Sequence, residues 1–110
     1  MDHLPIFLRI EDREVVVVGG GAVAARKTEL LLRCGARVTI VAPSLGRAAA
    51  ELLGANLPDA GAARLGRLTH LAAEFLPAHL DSAVLAIAAT DCRETNLLVS
   101  DAARERRIPV

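Results

Sequence analysis

Gly19-Gly20-Gly21-Ala22-Val23-Ala24 is the stretch of this chain whose residue types and spacing point to chemistry. It matches G-x-G-x-x-A. In that pattern the first glycine permits a tight turn, and the second leaves the backbone bare so that a pyrophosphate can come close. The small third residue lets the next helix pack tightly on the sheet. That helix then offers free N–H groups and the positive end of its dipole to the phosphates. Gly19, Gly21 and Ala24 are therefore candidate dinucleotide-binding residues, the plain alternative being a glycine turn with no ligand. The motif alone is a weak signal, and its weight comes from its surroundings.

Those surroundings are a βαβ unit. Val15 to Val18 is a run of four β-branched residues, the pattern of a strand buried on both faces. A helix is predicted from Ala22 to Cys34, with Val23, Leu30, Leu31 and Cys34 on its apolar face and Arg26, Glu29 and Arg33 on another. Gly35 is placed to end it in a left-handed conformation. Arg37 to Val41 is a second strand, stopped by Pro43. Before the unit, Pro5 to Ile10 reads as an extended lead-in and Glu11 to Glu14 as a polar turn. After it, Ser44 is expected to cap a helix over Leu45–Leu53, Gly54–Gly66 is turn-rich, and Arg67–Leu71 is a short strand. Leu76–Leu80 connects to a third aliphatic strand, Ala83–Ala89, and a helix follows from Cys92 to Arg106. Ile108 to Val110 resembles the opening of a further strand. The pattern predicts an α/β fold, a Rossmann-like doubly wound parallel sheet, C-terminally truncated: residues 1–110 as one incomplete domain.

Two features bear on what the glycine turn would hold. Rossmann domains usually place Asp or Glu at the end of the second strand, where it binds the ribose hydroxyls. Here the segment is Thr39-Ile40-Val41-Ala42-Pro43-Ser44, with no acid. Backbone groups or the Ser44 hydroxyl would replace it, and Arg47 is close enough in sequence to meet a 2′-phosphate, so NAD and NADP both stay open. Thr90 and Asp91 fall at the carboxyl end of the third aliphatic strand, the edge where open α/β sheets bind ligands. Asp91 followed by Glu94 also has the spacing of a capping box.

Composition narrows the remaining classes. Of 110 residues 53% are hydrophobic and 2% aromatic, so the core is built of Ala, Val, Leu and Ile, as in sheets covered by helices. The net charge of zero gives no support to a nucleic-acid or anionic-membrane partner. Cys34 and Cys92 make no disulfide framework and read as small buried or half-buried thiols. His3, His70 and His79 have no metal-ligand spacing and read as surface or turn residues. No Walker loop or nucleophile elbow is present. The expected setting is cytoplasmic.

The opening Met1-Asp2-His3-Leu4-Pro5-Ile6-Phe7 adds a different kind of signal. With Val17-Val18-Gly19-Gly20-Gly21, Val23-Ala24, Arg26-Lys27, Gly35-Ala36, Ala86-Ile87-Ala88-Ala89-Thr90-Asp91 and Arg107-Ile108, it resembles the N-terminal domain of the siroheme synthases. The resemblance covers nearly the whole chain and is weakest between Leu45 and Pro77. It implies a precorrin-2 dehydrogenase, which removes two hydrogens from precorrin-2 with NAD as acceptor to give sirohydrochlorin, and a ferrochelatase, which then inserts ferrous iron. It implies NAD contacts at Ala22 and Val23 and again at Pro43 and Ser44, and it tips the cofactor towards NAD, because that family's second strand also lacks the acid. It places the catalytic aspartate beyond Val110, in an Asn-x-x-Asp stretch, so no catalytic and no metal-binding residue is expected here. It implies a homodimer for the complete protein. Arg26 and Lys27 have two readings, a grip on the carboxylates of a tetrapyrrole or a solvated helix face. The competing reading of the whole chain is a non-catalytic dinucleotide-sensing Rossmann module. On its own, with an unfinished aliphatic sheet edge, the chain is expected to be inactive and poorly stable.

Overall fold

The computed structural model describes residues 2–55 and 66–110. Four parallel strands form one sheet: β1 (Glu14–Val18), β2 (Arg37–Val41), β3 (Arg67–Leu71) and β4 (Leu85–Ala88), in the spatial order β3-β2-β1-β4. This is the first half of the Rossmann order, with the reversal of winding between β1 and β4. Val16 pairs with Thr39 on one side and Ala86 on the other, so β1 lies between two parallel neighbours. Helices α1 (Ala22–Arg33) and α2 (Arg47–Ala55) follow β1 and β2, and a short 3-10 turn (Pro77–Leu80) leads into β4. Helix α3 (Arg93–Glu105) follows β4.

The two faces of the sheet carry separate cores, as the twofold alternation of a strand requires. Val15, Val17, Val38 and Ile40 pack with Ala24, Ala25, Leu31 and Leu32 of α1. Val16, Val18, Val41 and Ala86 pack with Val99, Ala102 and Ala103 of α3 and with Phe75 and Leu80. Every valine of β1 is at most 2% exposed, so the strand is buried on both sides as its composition predicts. Gly35 has φ of +82°, and its N–H donates to Leu32 O at 2.9 Å while that of Ala36 donates to Leu31 O at 3.2 Å. That double bond is the Schellman closure that a glycine at this place allows. Beyond α3 no further strand is assigned, but Ala86 N–H donates to Pro109 O at 3.0 Å, so this segment begins to pair along β4. In the lead-in, Ile10 is buried, whereas Leu4, Ile6 and Phe7 stand exposed.

Several expectations need correction. The buried face of α1 consists of Ala24, Ala25, Thr28, Leu31 and Leu32, while Val23 and Leu30 are exposed. In its first two turns small residues face the sheet, because the helix starts close to it, and the larger Val23 and Leu30 point outward. Cys34 and Cys92 are both exposed, since each occupies a helix terminus at the surface. Helix α2 begins at Arg47, not Leu45, and its entry is made by Gly46, whose carbonyl accepts from Ala50 N–H at 3.0 Å, rather than by Ser44. Asp91 does not cap α3: the cap position is Cys92, without a side-chain hydrogen bond to the helix. His70 lies on strand β3, its Nε2 2.9 Å from Ala42 O, not at a surface turn. Of the turn-rich stretch Gly54–Gly66, residues 56–65 lie outside the described residues, as does Met1, and Gly54 itself continues α2.

The corrected helix face gives a stability contrast. Leu32→Ala should cost about 2–4 kcal/mol, the usual effect of emptying a packed leucine site. Leu30→Ala should stay within about 0.5 kcal/mol, as for other exposed positions. Urea unfolding of the two variants beside the parent measures both; equal losses would put Leu30 back on the buried face.

Candidate functional site

At the carboxyl edge of the sheet, the turn after β1 is made of three glycines with three different surroundings. Gly19 has φ of +129°, and a Cβ on it would overlap the Ala89 carbonyl oxygen at the end of β4. Gly20 has no room either, because a Cβ there would overlap the Ser44 carbonyl oxygen and stand 3.3 Å from the Ala42 side chain. Gly21 is unlike both: its φ is −87°, and nothing lies within 4 Å of where its Cβ would be. Main-chain bonds fix the corner. Gly19 N–H donates to Val41 O at 3.0 Å, and Gly46 N–H donates to Gly20 O at 2.8 Å.

Helix α1 starts from this corner. Its first internal bond runs from Ala25 N–H to Gly21 O, at 3.0 Å. The N–H groups of Ala22, Val23 and Ala24 therefore precede the helical ladder. No acidic residue lies in the first turn, and Gly21 at the cap offers no side chain, so the positive end of the helix is left uncompensated. Ala24 is fully buried, as close packing of helix on sheet demands.

The corner opens on a cleft of about 620 Å³. One wall is the turn after β2, with Ala42, Pro43, Ser44 and Gly46; the other is the turn after β4, with Ala89, Thr90, Asp91 and Cys92. Leu98 supplies exposed apolar surface, with Val18, Val41 and Phe75 buried behind the wall. Of the residues singled out in the sequence, the structure brings Gly19, Gly21, Pro43, Ser44, Thr90 and Asp91 to this one cleft. Ala22, Val23 and Ala24 follow Gly21 into α1 and are not among the residues that line it. Arg47 is turned away, with its side chain 94% exposed and 3.9 Å from Glu51. Arg26 and Lys27 are exposed on α1 and do not line the cleft.

The β4 wall is held by a residue that sequence spacing did not reveal. Asn96, one turn into α3, accepts from the Thr90 hydroxyl at 2.6 Å and from Thr90 N–H at 3.2 Å, and its Nδ2 donates to Thr90 O at 3.0 Å. The Thr90 hydroxyl oxygen in turn accepts from Cys92 N–H at 3.2 Å. Thr90, not Asp91, thus organises the entry to α3. Beside it, the nearby Thr95 hydroxyl, and after it the Thr95 backbone, favour the thiolate and hold the Cys92 thiol below its ordinary range. Glu74, Phe75, Thr95 and Leu98 were also missed; they reach the cleft from the loop after β3 and from α3, which no local motif announces. Among the described residues no three His, Cys, Asp or Glu side chains are grouped to hold a metal ion, and no helix is long and apolar enough to cross a membrane.

Comparison with known proteins adds to this geometry. Residues 6–110 match the protein family described as "Putative NAD(P)-binding". The chain is 48% identical over 110 residues to a siroheme synthase of Methylobacillus flagellatus, covering 100% of this chain and 21% of that protein. It is 50% identical over 110 residues to a siroheme synthase of Nitrosospira multiformis, covering 100% of this chain and 22% of that one. It thus spans about a fifth of the length of these curated relatives. Among solved structures it is similar to SirC, a precorrin-2 dehydrogenase, with a TM-score of 0.73 and 26% identity over 89% of this chain and 44% of that one.

The Thr90 turn makes its own test. Asn96→Ala strips three hydrogen bonds from a half-buried turn and should destabilise by about 1–3 kcal/mol. Asp91→Ala removes no capping bond and should change stability by less than about 0.5 kcal/mol. Thermal unfolding of the two variants decides between them, and a larger loss for Asp91→Ala would restore the capping box.

Proposed function

The chain belongs to this NAD(P)-binding family, and on that premise we propose that it forms the dinucleotide-binding part of an NAD-dependent precorrin-2 dehydrogenase of siroheme synthesis. Two hydrogens leave precorrin-2, one as hydride and one as a proton, and sirohydrochlorin results. The observation that carries the proposal is Gly21. Its backbone angles suit any residue, and the space beyond it is open. Its place is the cap of α1, where Ser, Thr, Asp or Asn would stabilise the helix better. Nothing among the described residues asks for glycine there, and a diphosphate lying against the bare backbone does.

The residues around it fit such a ligand. Ala22, Val23 and Ala24 donate backbone N–H groups to the phosphates, and the uncompensated helix end attracts their charge. Pro43 and Ser44 form the lip on the β2 side, and Thr90 and Asp91 the lip on the β4 side. Leu98 offers apolar surface to a flat ring, backed by the buried Val18, Val41 and Phe75. NAD supplies the hydride acceptor, while the protein supplies orientation and a dry wall. No residue of this chain is assigned proton transfer.

The similarity to siroheme synthases extends the proposal to the full-length protein, which would also insert ferrous iron into sirohydrochlorin and act as a homodimer. Iron is there a substrate, and no described residue is assigned to it. The dinucleotide-sensing alternative gains nothing from the relatives, which carry the names of enzymes.

Gly21→Val in the full-length protein is the test. The side chain enters open space, so the cost is that of a poorer helix cap, about 1 kcal/mol, and the melting temperature should fall by only a few degrees. NADH affinity should fall by about 100-fold or more, as expected when several charge-assisted hydrogen bonds are blocked, and precorrin-2 turnover should fall with it. A variant that folds and binds NADH as tightly as the parent overturns the proposal.

A further inference from the structure

The acid expected at the end of β2 is absent, and the structure shows what occupies its place. Ala42 is 4% exposed, and its methyl group packs towards the glycine turn. The ribose of a dinucleotide lying on that turn would meet no carboxylate from β2. A carboxylate reaches the cleft from the neighbouring strand instead. Strand β3 runs beside β2, with Leu71 opposite Val41, and Ala42 N–H donates to Leu71 O at 3.2 Å. Immediately afterwards Ala73 N–H bonds back to Leu71 O at 2.9 Å, which turns the chain. Phe75 is then drawn into the core at 7% exposure, and Glu74 stays exposed on the cleft wall that Pro43 and Ser44 also line. His70, two residues before the turn, sits 2.9 Å from Ala42 O and ties the same two strand ends together.

The charge of the wall has one sign. Among the described residues that line the cleft, the charged ones are Glu74 and Asp91, and no lysine or arginine joins them. Arg47, the nearest cation in sequence to the β2 turn, lies outside it against Glu51. A ribose with two free hydroxyls can donate both to a carboxylate. A 2′-phosphate, carrying nearly two negative charges, meets like charge and no partner.

We propose that Glu74 is the residue that selects NAD over NADP: its carboxylate accepts hydrogen bonds from the adenosine ribose diol and repels a 2′-phosphate. This rests on the dinucleotide reading of the cleft and assigns to the loop after β3 a task that other Rossmann domains give to β2.

The test uses the full-length protein and reads dissociation constants for NADH and NADPH from their own fluorescence. The parent should prefer NADH by about 100-fold, the effect of one charged partner gained and one repulsion avoided. Glu74→Gln should weaken NADH by about tenfold and narrow the preference. Glu74→Arg should shift the preference towards NADPH, because a guanidinium suits a phosphate. Glu74 is an exposed loop residue, so both variants should melt as the parent does. If the parent binds both dinucleotides alike, or if both variants keep the parent's ratio within about twofold, Glu74 is not the selector. Gly21→Val, measured alongside, separates the two levels. Loss of both dinucleotides in that variant leaves the cofactor reading intact whatever Glu74 does, and unchanged binding removes the reading beneath it.

Discussion

Three backbones converge on one corner that has no side chains of its own, and most of this structure follows from keeping it so. The carbonyl of Ala89 presses on Gly19, and the carbonyl of Ser44 presses on Gly20. The ends of β4 and β2 can approach β1 this closely only because a Cβ is missing at both places. The approach in turn fixes both lips of the cleft relative to the start of α1. Gly46 completes the arrangement by donating to Gly20 O, so the second helix also takes its position from the first turn. Two of the three glycines are therefore needed by the fold. The third is not, and that difference separates a structural turn from one open to a ligand.

One corner of the cleft is bare backbone, the three glycines after β1. The first turn of α1, which starts from that corner, carries no acid, and among the described residues the walls bring few charged groups. Main-chain donors at a helix end bind a diphosphate by position, with little rotamer entropy lost, because they are already held. The same economy makes rigidity of the lips important. The Thr90–Asn96 bonds serve that end: Asn96 reaches back from α3 and satisfies both the N–H and the carbonyl of Thr90, so the turn is tied to the helix that follows it. A loose lip would leave these groups seeking other partners, and a bare-backbone site has no long side chains with which to compensate.

Much of the fold was legible in the sequence, for identifiable reasons. The four β-branched residues before the glycines define β1 because few other arrangements bury such a run on both sides. Gly35 announces the end of α1 because few other residues accept φ of +82°. Strand β3 appears as Arg67–Leu71 in both readings. The face of α1 was legible at Leu31 but not elsewhere, since hydrophobicity alone favours Val23 and Leu30, whereas closeness to the sheet selects Ala24, Ala25 and Thr28. The capping box was misread because Asp91 and Glu94 have the right spacing, but the Thr90 hydroxyl takes the Cys92 N–H and shifts the cap by one residue. Half of the cleft was likewise hidden. Gly19, Gly21, Ser44 and Thr90 lie at turns that sequence marks, whereas Glu74, Phe75 and Leu98 arrive through strand order and helix packing.

The charge of the cleft also divides the labour of the proposed reaction. A diphosphate site of backbone donors recognises what all dinucleotides share, so discrimination between cofactors falls on the walls. A tetrapyrrole rich in carboxylates poses the opposite problem, for it needs cations. Among the described residues the charged side chains lining this cleft are acids, and Arg26 and Lys27 stand on the exposed face of α1 rather than in it. Like-charge juxtaposition would make this wall a poor seat for the substrate's anionic rim. The cleft suits one partner of the reaction, and the carboxylates of the other call for positive groups outside it.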